Sequence, residues 1–349
     1  MDVETGAVLA LQILALCSIV AALLAYLMRQ SRNAADEYES RNKRHVLVTS
    51  CDTCVGLQIA LALYEAGYKW HVECGLVAAV VFQNIMYVFA GLLDPTGSSP
   101  SVKILKAVEL ERQKQDEPDG TSDGDPQQPE ATRTRGQIVP LELDPTREDS
   151  LHACLDAVRA KLPAGEDGKM FYSFDFFGLW AVVHTGGLVL PGVIEKQTSS
   201  MWESMLRHNL VAPLRTVRVF IPLLRIKRGR IVLLGDSETS YGSKTGSGLV
   251  AFSASRRAVE GAAEALKNEL HSSGVDVVLL KPPPVNPLVL YASPVLKTVD
   301  VESGVTASEG TWTAPLSIHS VQNALIPAIT TSCPLSVYDM SVKPRVFCR

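Results

Sequence analysis

The sequence is sparing with cysteine: seven are scattered over 349 residues, one of them inside an apolar run. Small secreted domains that depend on disulfides carry them densely, so a reducing compartment is expected. Basic residues are not in excess either. Thirty-three Lys and Arg stand against 37 Asp and Glu, a formal net charge of −4, which excludes a general electrostatic grip on nucleic-acid phosphates. Metal-ligand spacing is missing, because the seven histidines contain no H-x-x-x-H pair, and no metal site is expected. No internal repeat of about 20 to 50 residues recurs. Charged residues at 20% beside hydrophobic ones at 46%, with a mean hydropathy of +0.13, exclude both a disordered chain and a many-span membrane protein.

Long apolar runs are scarce, with one clear exception. Ala7 to Met28 (AVLALQILALCSIVAALLAYLM) is 22 residues without a charge, enough at about 1.5 Å each to cross the roughly 30 Å hydrocarbon layer. Acidic Asp2 and Glu4 precede it, whereas Arg29, Arg32, Arg41, Lys43 and Arg44 follow. An acidic start does not suit a cleaved signal peptide. The basic flank predicts one transmembrane helix with the long C-terminal part in the cytosol. Residues 1–30 are thus read as a single-pass anchor, in the endoplasmic reticulum or, as the alternative, a mitochondrial membrane.

After the anchor a β then α rhythm begins. HVLVTS (His45 to Ser50) is a short β-branched run, and Val55 to Gly67 carries helical periodicity. GQIVPLELD, GLWAVVHTGG, GRIVLLGD and GVDVVLLKP follow as further strands. Amphipathic stretches at Arg147 to Leu162, Ser199 to Lys227 and around Val259 to Leu270 lie between them. Apolar strands alternating with amphipathic helices predict an α/β fold with a Rossmann-type, doubly wound parallel sheet. Two stretches break the rhythm. Gln113 to Gly136 is acidic and rich in Pro, Gly and Gln, and reads as a disordered surface loop. Trp70 to Tyr87 is apolar and stands where a second strand should begin, with Gln83 and Asn84 weakening it as a second membrane span.

The order and spacing of VLVTSCDTCVG, VFAGLLDP, LELDPT, GLWAVVHTGG, MLRHNLVAPL, GRIVLLGDS and FSASRRAVEGAAEALKNEL resemble the short-chain dehydrogenase/reductases. The nearest branch is the membrane-associated retinol, 3-hydroxybutyrate and 17β-hydroxysteroid dehydrogenases. The likeness covers residues 45–290 and leaves 291–349 as a substrate-side or tail region. It implies that residues 70–87 are inserted, as a gene-model error or a membrane-dipping loop, since αβ loops commonly hold only about 2 to 6 residues.

The resemblance also implies a nicotinamide cofactor, NAD or NADP, and places its site. The family's threonine and three glycines correspond to Thr49, Ser50, Cys54 and Gly56. Only the last glycine remains, so close packing of helix on sheet is kept while the tight turn and the approach of pyrophosphate are weakened. Asp144 matches an aspartate set against the adenine. His184-Thr185-Gly186-Gly187 replaces Asn-Asn-Ala-Gly, with Gly187 keeping the last position. Asp94, at the end of the second strand, favours NAD weakly. Cys51-Asp52-Thr53-Cys54 also has C-x-x-C redox spacing, although small side chains standing in for glycine are the simpler account.

The family's catalytic Asn, Ser, Tyr and Lys fall at Asn209, at Asp236 or Ser237, at Phe252 and at Arg256. Phenylalanine has no proton to transfer, and arginine is bulkier and planar where an ammonium belongs. Pro283 replaces a glycine after the sixth strand. Tyr241, with Lys244 three residues on, is an alternative proton donor in a glycine-rich loop. Two functions follow from these residues. One is a membrane-anchored oxidoreductase of lipophilic alcohols or ketones (sterol, steroid or retinoid) with impaired catalysis and weak or absent cofactor binding. The other is an inactive pseudoenzyme that binds a lipid or nucleotide or scaffolds other enzymes. The expected partners are a lipophilic small molecule, the membrane and a second copy of the chain, with no nucleic acid.

Overall fold

The computed structural model describes residues 44–69, 87–116, 137–162, 178–236, 248–296, 312–331 and 333–340. Ala7 to Met28, residues 70–86, the acidic stretch after Asp116, Ser237, Tyr241 and Lys244 lie outside them. Among the described residues no helix is long and apolar enough to cross a membrane.

Short aliphatic runs become strands here because both faces of a parallel sheet are covered. The strands are β1 (Val46–Val48), β2 (Tyr87–Leu92), β3 (Gln137–Glu142), β4 (Ala181–His184), β5 (Arg230–Leu234), β6 (Asp276–Lys281) and β7 (Val337–Asp339). They form one sheet in the order β3-β2-β1-β4-β5-β6-β7, every pair parallel. Val46 sits opposite Val88 on one side and Ala181 on the other. The chain winds outward from β1 in both directions, so the order reverses between β1 and β4. Doubly wound sheets open their ligand crevice at that reversal, outside the carboxyl ends of the strands. Pro140, which cannot donate to a ladder, is tolerated because β3 is an edge.

The period of two along each strand sorts the core into two layers. Val46 and Val48 point to the face covered by α1 (Cys54–Lys69), α2 (Pro100–Asp116) and α8 (Ile318–Thr330). Leu47 points to the face covered by α3 (Glu148–Lys161), α5 (Ala212–Lys227) and α6 (Val250–Leu270).

The structure changes four sequence expectations. Helix α2 continues through Gln113 to Asp116, the first residues of the stretch read as a disordered loop. The stretch from Ser199 to Lys227 is not one continuous α-helix: α4 (Ser199–Leu206) passes through a π turn at Arg207–Val211 before α5. Pro213 lacks the N–H that an unbroken helix would send to the carbonyl of residue 209, and the local widening follows. Tyr87 is the first residue of β2 and pairs with Gln137, so it belongs to the sheet and not to the inserted stretch. The boundary at residue 290 falls inside the fold. β7 pairs with β6 through Val337 and Tyr338, and α8 is anchored when Arg230 Nη1 donates to the Ala328 carbonyl at 2.8 Å and Trp180 Nε1 to that of Ile329 at 2.8 Å. Strand β7 extends the sheet past β6, which would otherwise be its open edge.

Candidate active site

The turn from β1 into α1 keeps its shape without its glycines. Ser50 has φ +53°, the left-handed conformation that glycine adopts without penalty and other residues enter at a cost of about 1 kcal/mol or more. Thr53 locks it, its hydroxyl donating to the Ser50 carbonyl at 2.9 Å and accepting from the Gly56 N–H at 3.1 Å. Gly56 has no room for a side chain, since a Cβ there would lie 2.3 Å from the Ser50 oxygen. Helix α1 therefore packs on the turn as closely as the sequence suggests.

The two cysteines of this turn are free and buried. Burial pushes the Cys51 thiol far up, with Asp52 adding to the effect, and burial also raises Cys54. Desolvation outweighs the helix N-terminus at both, which removes the support for a redox C-x-x-C.

The carboxylates assigned to the adenosine half of the cofactor each hold a local turn with one oxygen. Asp94 Oδ1 accepts from the Thr96 N–H at 3.0 Å, the Thr96 hydroxyl at 2.8 Å and the Gly97 N–H at 2.8 Å. These bonds, led by the Thr96 hydroxyl, hold its carboxyl below the usual range. Asp144 Oδ1 does the same for Thr146, at 2.9 and 2.7 Å. Asp52, which the sequence did not single out, accepts from the Leu93 N–H at 2.6 Å. Partial burial raises its pKa, the Leu93 bond opposes that, and Asp94 adds to the rise.

Just past β1, Thr49 ties the two halves of the crevice together across to the end of β4. Its hydroxyl lies 3.2 Å from His184 Nδ1 and accepts from the Thr185 N–H at 3.2 Å. His184 is 2% exposed, and its Nε2 has no hydrogen-bond partner among the described residues. Burial, reinforced by the charge of Arg256, lowers its pKa to about 3. Gly186 lies between the new groups: a Cβ there would be 2.7 Å from Ser50 Oγ and 3.0 Å from His184 Nε2. Where the family carries a Gly, an Asn and an Ala, this chain carries Ser50, His184 and Gly186. The methyl is lost where the serine hydroxyl and the imidazole need its space.

The π turn projects Asn209 inward, where every polar atom of its amide is used. Oδ1 accepts from the Leu188 N–H at 2.7 Å, while Nδ2 donates to the Leu188 carbonyl at 3.0 Å and to Ser255 Oγ at 2.9 Å. Ser255 in turn donates to the Phe252 carbonyl at 2.6 Å. The four-residue spacing puts Phe252 and Arg256 on one face of α6, as expected. Phe252 is 2% exposed and joins Met205 and Leu249 in a small apolar core, with Leu190 and Tyr291 against it. Arg256, 1% exposed, donates from Nη2 to the Gly186 carbonyl at 2.9 Å, and its Nε has no partner among the described residues. Its guanidinium carbon is 4.4 Å from the Tyr291 ring centroid and 5.6 Å from that of Phe252. Asp236 is buried, with Arg257 Nε 3.5 Å from Oδ2.

Thr49, Ser50, Gly56, Gly187, Asn209, Phe252 and Arg256 thus gather at one crevice, while Asp94 and Asp144 each brace a local turn through Oδ1. Sequence reasoning missed Tyr291 and Ala292, which enter the crevice from beyond β6. Only contacts between distant positions reveal them. A dinucleotide does not fit these residues as they stand. The Cys54 N–H already donates to the Ala292 carbonyl at 2.8 Å. The floor at Gly187 is covered as well, because a Cβ there would lie 1.8 Å from Arg256 Nη2 and 2.7 Å from Tyr291 Cε1.

The family model described as short chain dehydrogenase matches residues 126–290. The mitochondrial D-beta-hydroxybutyrate dehydrogenase of Mus musculus is 20% identical over 251 residues, 72% of this chain and 57% of that protein. The 3beta-hydroxysteroid dehydrogenase dhs-16 of Caenorhabditis elegans is 27% identical over 149 residues, 42% of this chain and 35% of that one. The chain thus spans little more than half the length of the first of these relatives and about a third of the second. A solved short-chain dehydrogenase from Streptomyces avermitilis, at 16% identity and a TM-score of 0.53 over 85% of this chain and 87% of that one, is alike in fold. A parallel sheet wound outward from β1, a glycine-packed turn at its switch point and these similarities in sequence point the same way: the chain is similar to the short-chain dehydrogenase/reductases, the hydroxybutyrate and steroid dehydrogenases among them.

Proposed function

We propose that the chain is a membrane-anchored member of this superfamily whose crevice handles a lipophilic alcohol or ketone of the sterol, steroid or retinoid class, with hydride transfer strongly impaired. The observation that carries the impairment is Phe252, which stands at the proton donor's position inside an apolar core while Arg256 is turned onto the Gly186 carbonyl. General acid–base assistance is typically worth about 10²- to 10⁴-fold, and neither side chain can supply it. The lipophilic class rests on a relative named for hydroxysteroid dehydrogenation and on the apolar run Ala7 to Met28 with its basic flank. NAD and NADP remain the cofactor classes implied by the superfamily. An endoplasmic reticulum membrane with the folded domain in the cytosol is the location this reading entails.

A second reading, an inactive protein that binds or scaffolds, is favoured by Tyr291 and Ala292 standing in the crevice. Turnover of the full chain with NADH, NADPH and their oxidised forms on a panel of sterols, steroids, retinoids and 3-hydroxybutyrate tests both. The expected rate is at least about 10²-fold below that of an intact superfamily enzyme. Robust turnover that survives Phe252→Ala sinks the impairment and moves the chemistry to Tyr241 or elsewhere.

A further inference from the structure

In this fold a dinucleotide lies in the crevice outside the carboxyl ends of the strands, with its pyrophosphate at the N-terminus of the first helix. Both are taken by one short piece of the chain itself. The Ala292 carbonyl oxygen accepts from the Cys54 N–H, at the first residue of α1, at 2.8 Å. Tyr291 lies over the Arg256 guanidinium at 4.4 Å, meets Phe252 edge-on with ring centroids 5.8 Å apart, and covers Gly187. The piece is built to stay there. Asn286 caps the single turn α7 (Pro287–Leu290) by accepting from the Leu288 N–H at 3.0 Å, and the Tyr291 N–H returns to the Pro287 carbonyl at 3.0 Å. Leu290, 2% exposed, is embedded in the core beside α1.

The geometry points to an internal ligand: residues 286–292 occupy the dinucleotide's place, with the Ala292 carbonyl presenting negative charge to the N-terminus of α1 and the Tyr291 ring lying on Arg256 and the Gly187 floor. This rests on the proposed impairment and extends it from proton transfer to cofactor entry. It also explains why the replacements occur together. A planar guanidinium stacks on an aromatic ring where an ammonium would remain a hydrated point charge. Phe252 gives Tyr291 an apolar wall, where a tyrosine would bring a second hydroxyl needing a partner. A tethered ligand acts at an effective concentration in the millimolar range or above, so free NADH or NADPH of ordinary affinity competes poorly.

The test uses the full chain in detergent micelles, with two readouts: calorimetric titration with NADH and NADPH, and hydrogen exchange at the Cys54 amide without any dinucleotide. The wild-type chain is expected to protect the Cys54 amide and to leave both dinucleotides unsaturated at millimolar concentration. Tyr291→Ala is expected to speed that exchange and to tighten NADH binding by at least about tenfold, since the competent crevice becomes more populated. Fast exchange at Cys54 in the folded wild-type chain overturns the proposal, even if Tyr291→Ala fails to fold. So does micromolar binding of either dinucleotide by the wild-type chain, or faster exchange in Tyr291→Ala without tighter binding. Micromolar binding without turnover removes the internal ligand and leaves the proposed impairment standing, whereas robust turnover removes the impairment itself.

Discussion

His184 holds its imidazole neutral against two forces, the loss of water around it and the positive charge of Arg256. Its pKa of about 3 in the folded chain lies well below the 6.5 of an ordinary histidine. A histidine with a depressed folded pKa leaves stability intact above 6.5 and removes it as pH falls, because the unfolded chain takes up the proton that the folded one refuses. The loss is about 1.4 kcal/mol per pH unit below 6.5 and continues down toward the folded value. His184→Asn restores the family's residue and removes that linkage. Urea denaturation at pH 7 and pH 5 should therefore show the wild-type chain losing about 2 kcal/mol more than the variant over that interval. Equal losses would mean that water reaches the imidazole. Ser50 and Gly186 belong to the same site, and the vacant space at Gly186 lets both new side chains in.

Among the elements, α8 shows how a C-terminal segment becomes part of the sheet's cover. Arg230, at the start of β5, reaches under it, with Nη1 on the Ala328 carbonyl at 2.8 Å and Nη2 on that of Thr331. Asp276 lies 3.7 Å from Nε and the Trp180 ring 5.2 Å from the guanidinium carbon. A guanidinium at a helix C-terminus meets both the unpaired carbonyls and the negative end of the dipole. Arg230→Met keeps the bulk but strands those carbonyls and Asp276, and should cost about 3 kcal/mol in urea denaturation with the folded spectrum retained. A loss below about 1 kcal/mol would show that α8 is held by its apolar face alone. How much was legible in the sequence follows the same division. The strands and helices were readable because Val46, Leu47 and Val48 or Val259, Ala263 and Leu270 announce their periods locally. The degenerate positions at Ser50, Phe252 and Arg256 were readable by motif. What replaced their function was not: Arg230 gripping α8 and Tyr291 covering Gly187 join positions far apart in the chain, and no local pattern encodes such a meeting.

At the scale of the whole molecule, α4 and α6 pack on one another, and both carry apolar side chains exposed in the single chain. Trp202 is 36% exposed, Leu206 43% and, at the start of α6, Val250 53%. In the family that the chain resembles, the long helices before and after GRIVLLGD commonly pair two copies of the domain, and here those are the stretch Ser199 to Lys227, of which α4 is the first part, and α6. A stable pair buries about 800 Å² on each partner, and exposed aromatic and aliphatic side chains at its centre are what that area requires. A twofold interface is made of the same patch from both copies, so any substitution enters it twice. Trp202→Glu with Leu206→Glu places four carboxylates at one contact, where like charges also repel across the axis. The full chain in detergent should run as a dimer by light scattering at micromolar concentration, and the double variant should dissociate at least about a hundredfold more readily. Both residues are exposed, and although the bond from Trp202 Nε1 to Gln197 Oε1 is lost, Gln197 keeps its own bond to the Leu190 carbonyl, so the fold should survive the change. A wild-type chain that stays monomeric at tens of micromolar, or a double variant that remains dimeric, would place the contact elsewhere and leave Trp202 and Leu206 facing the membrane or solvent.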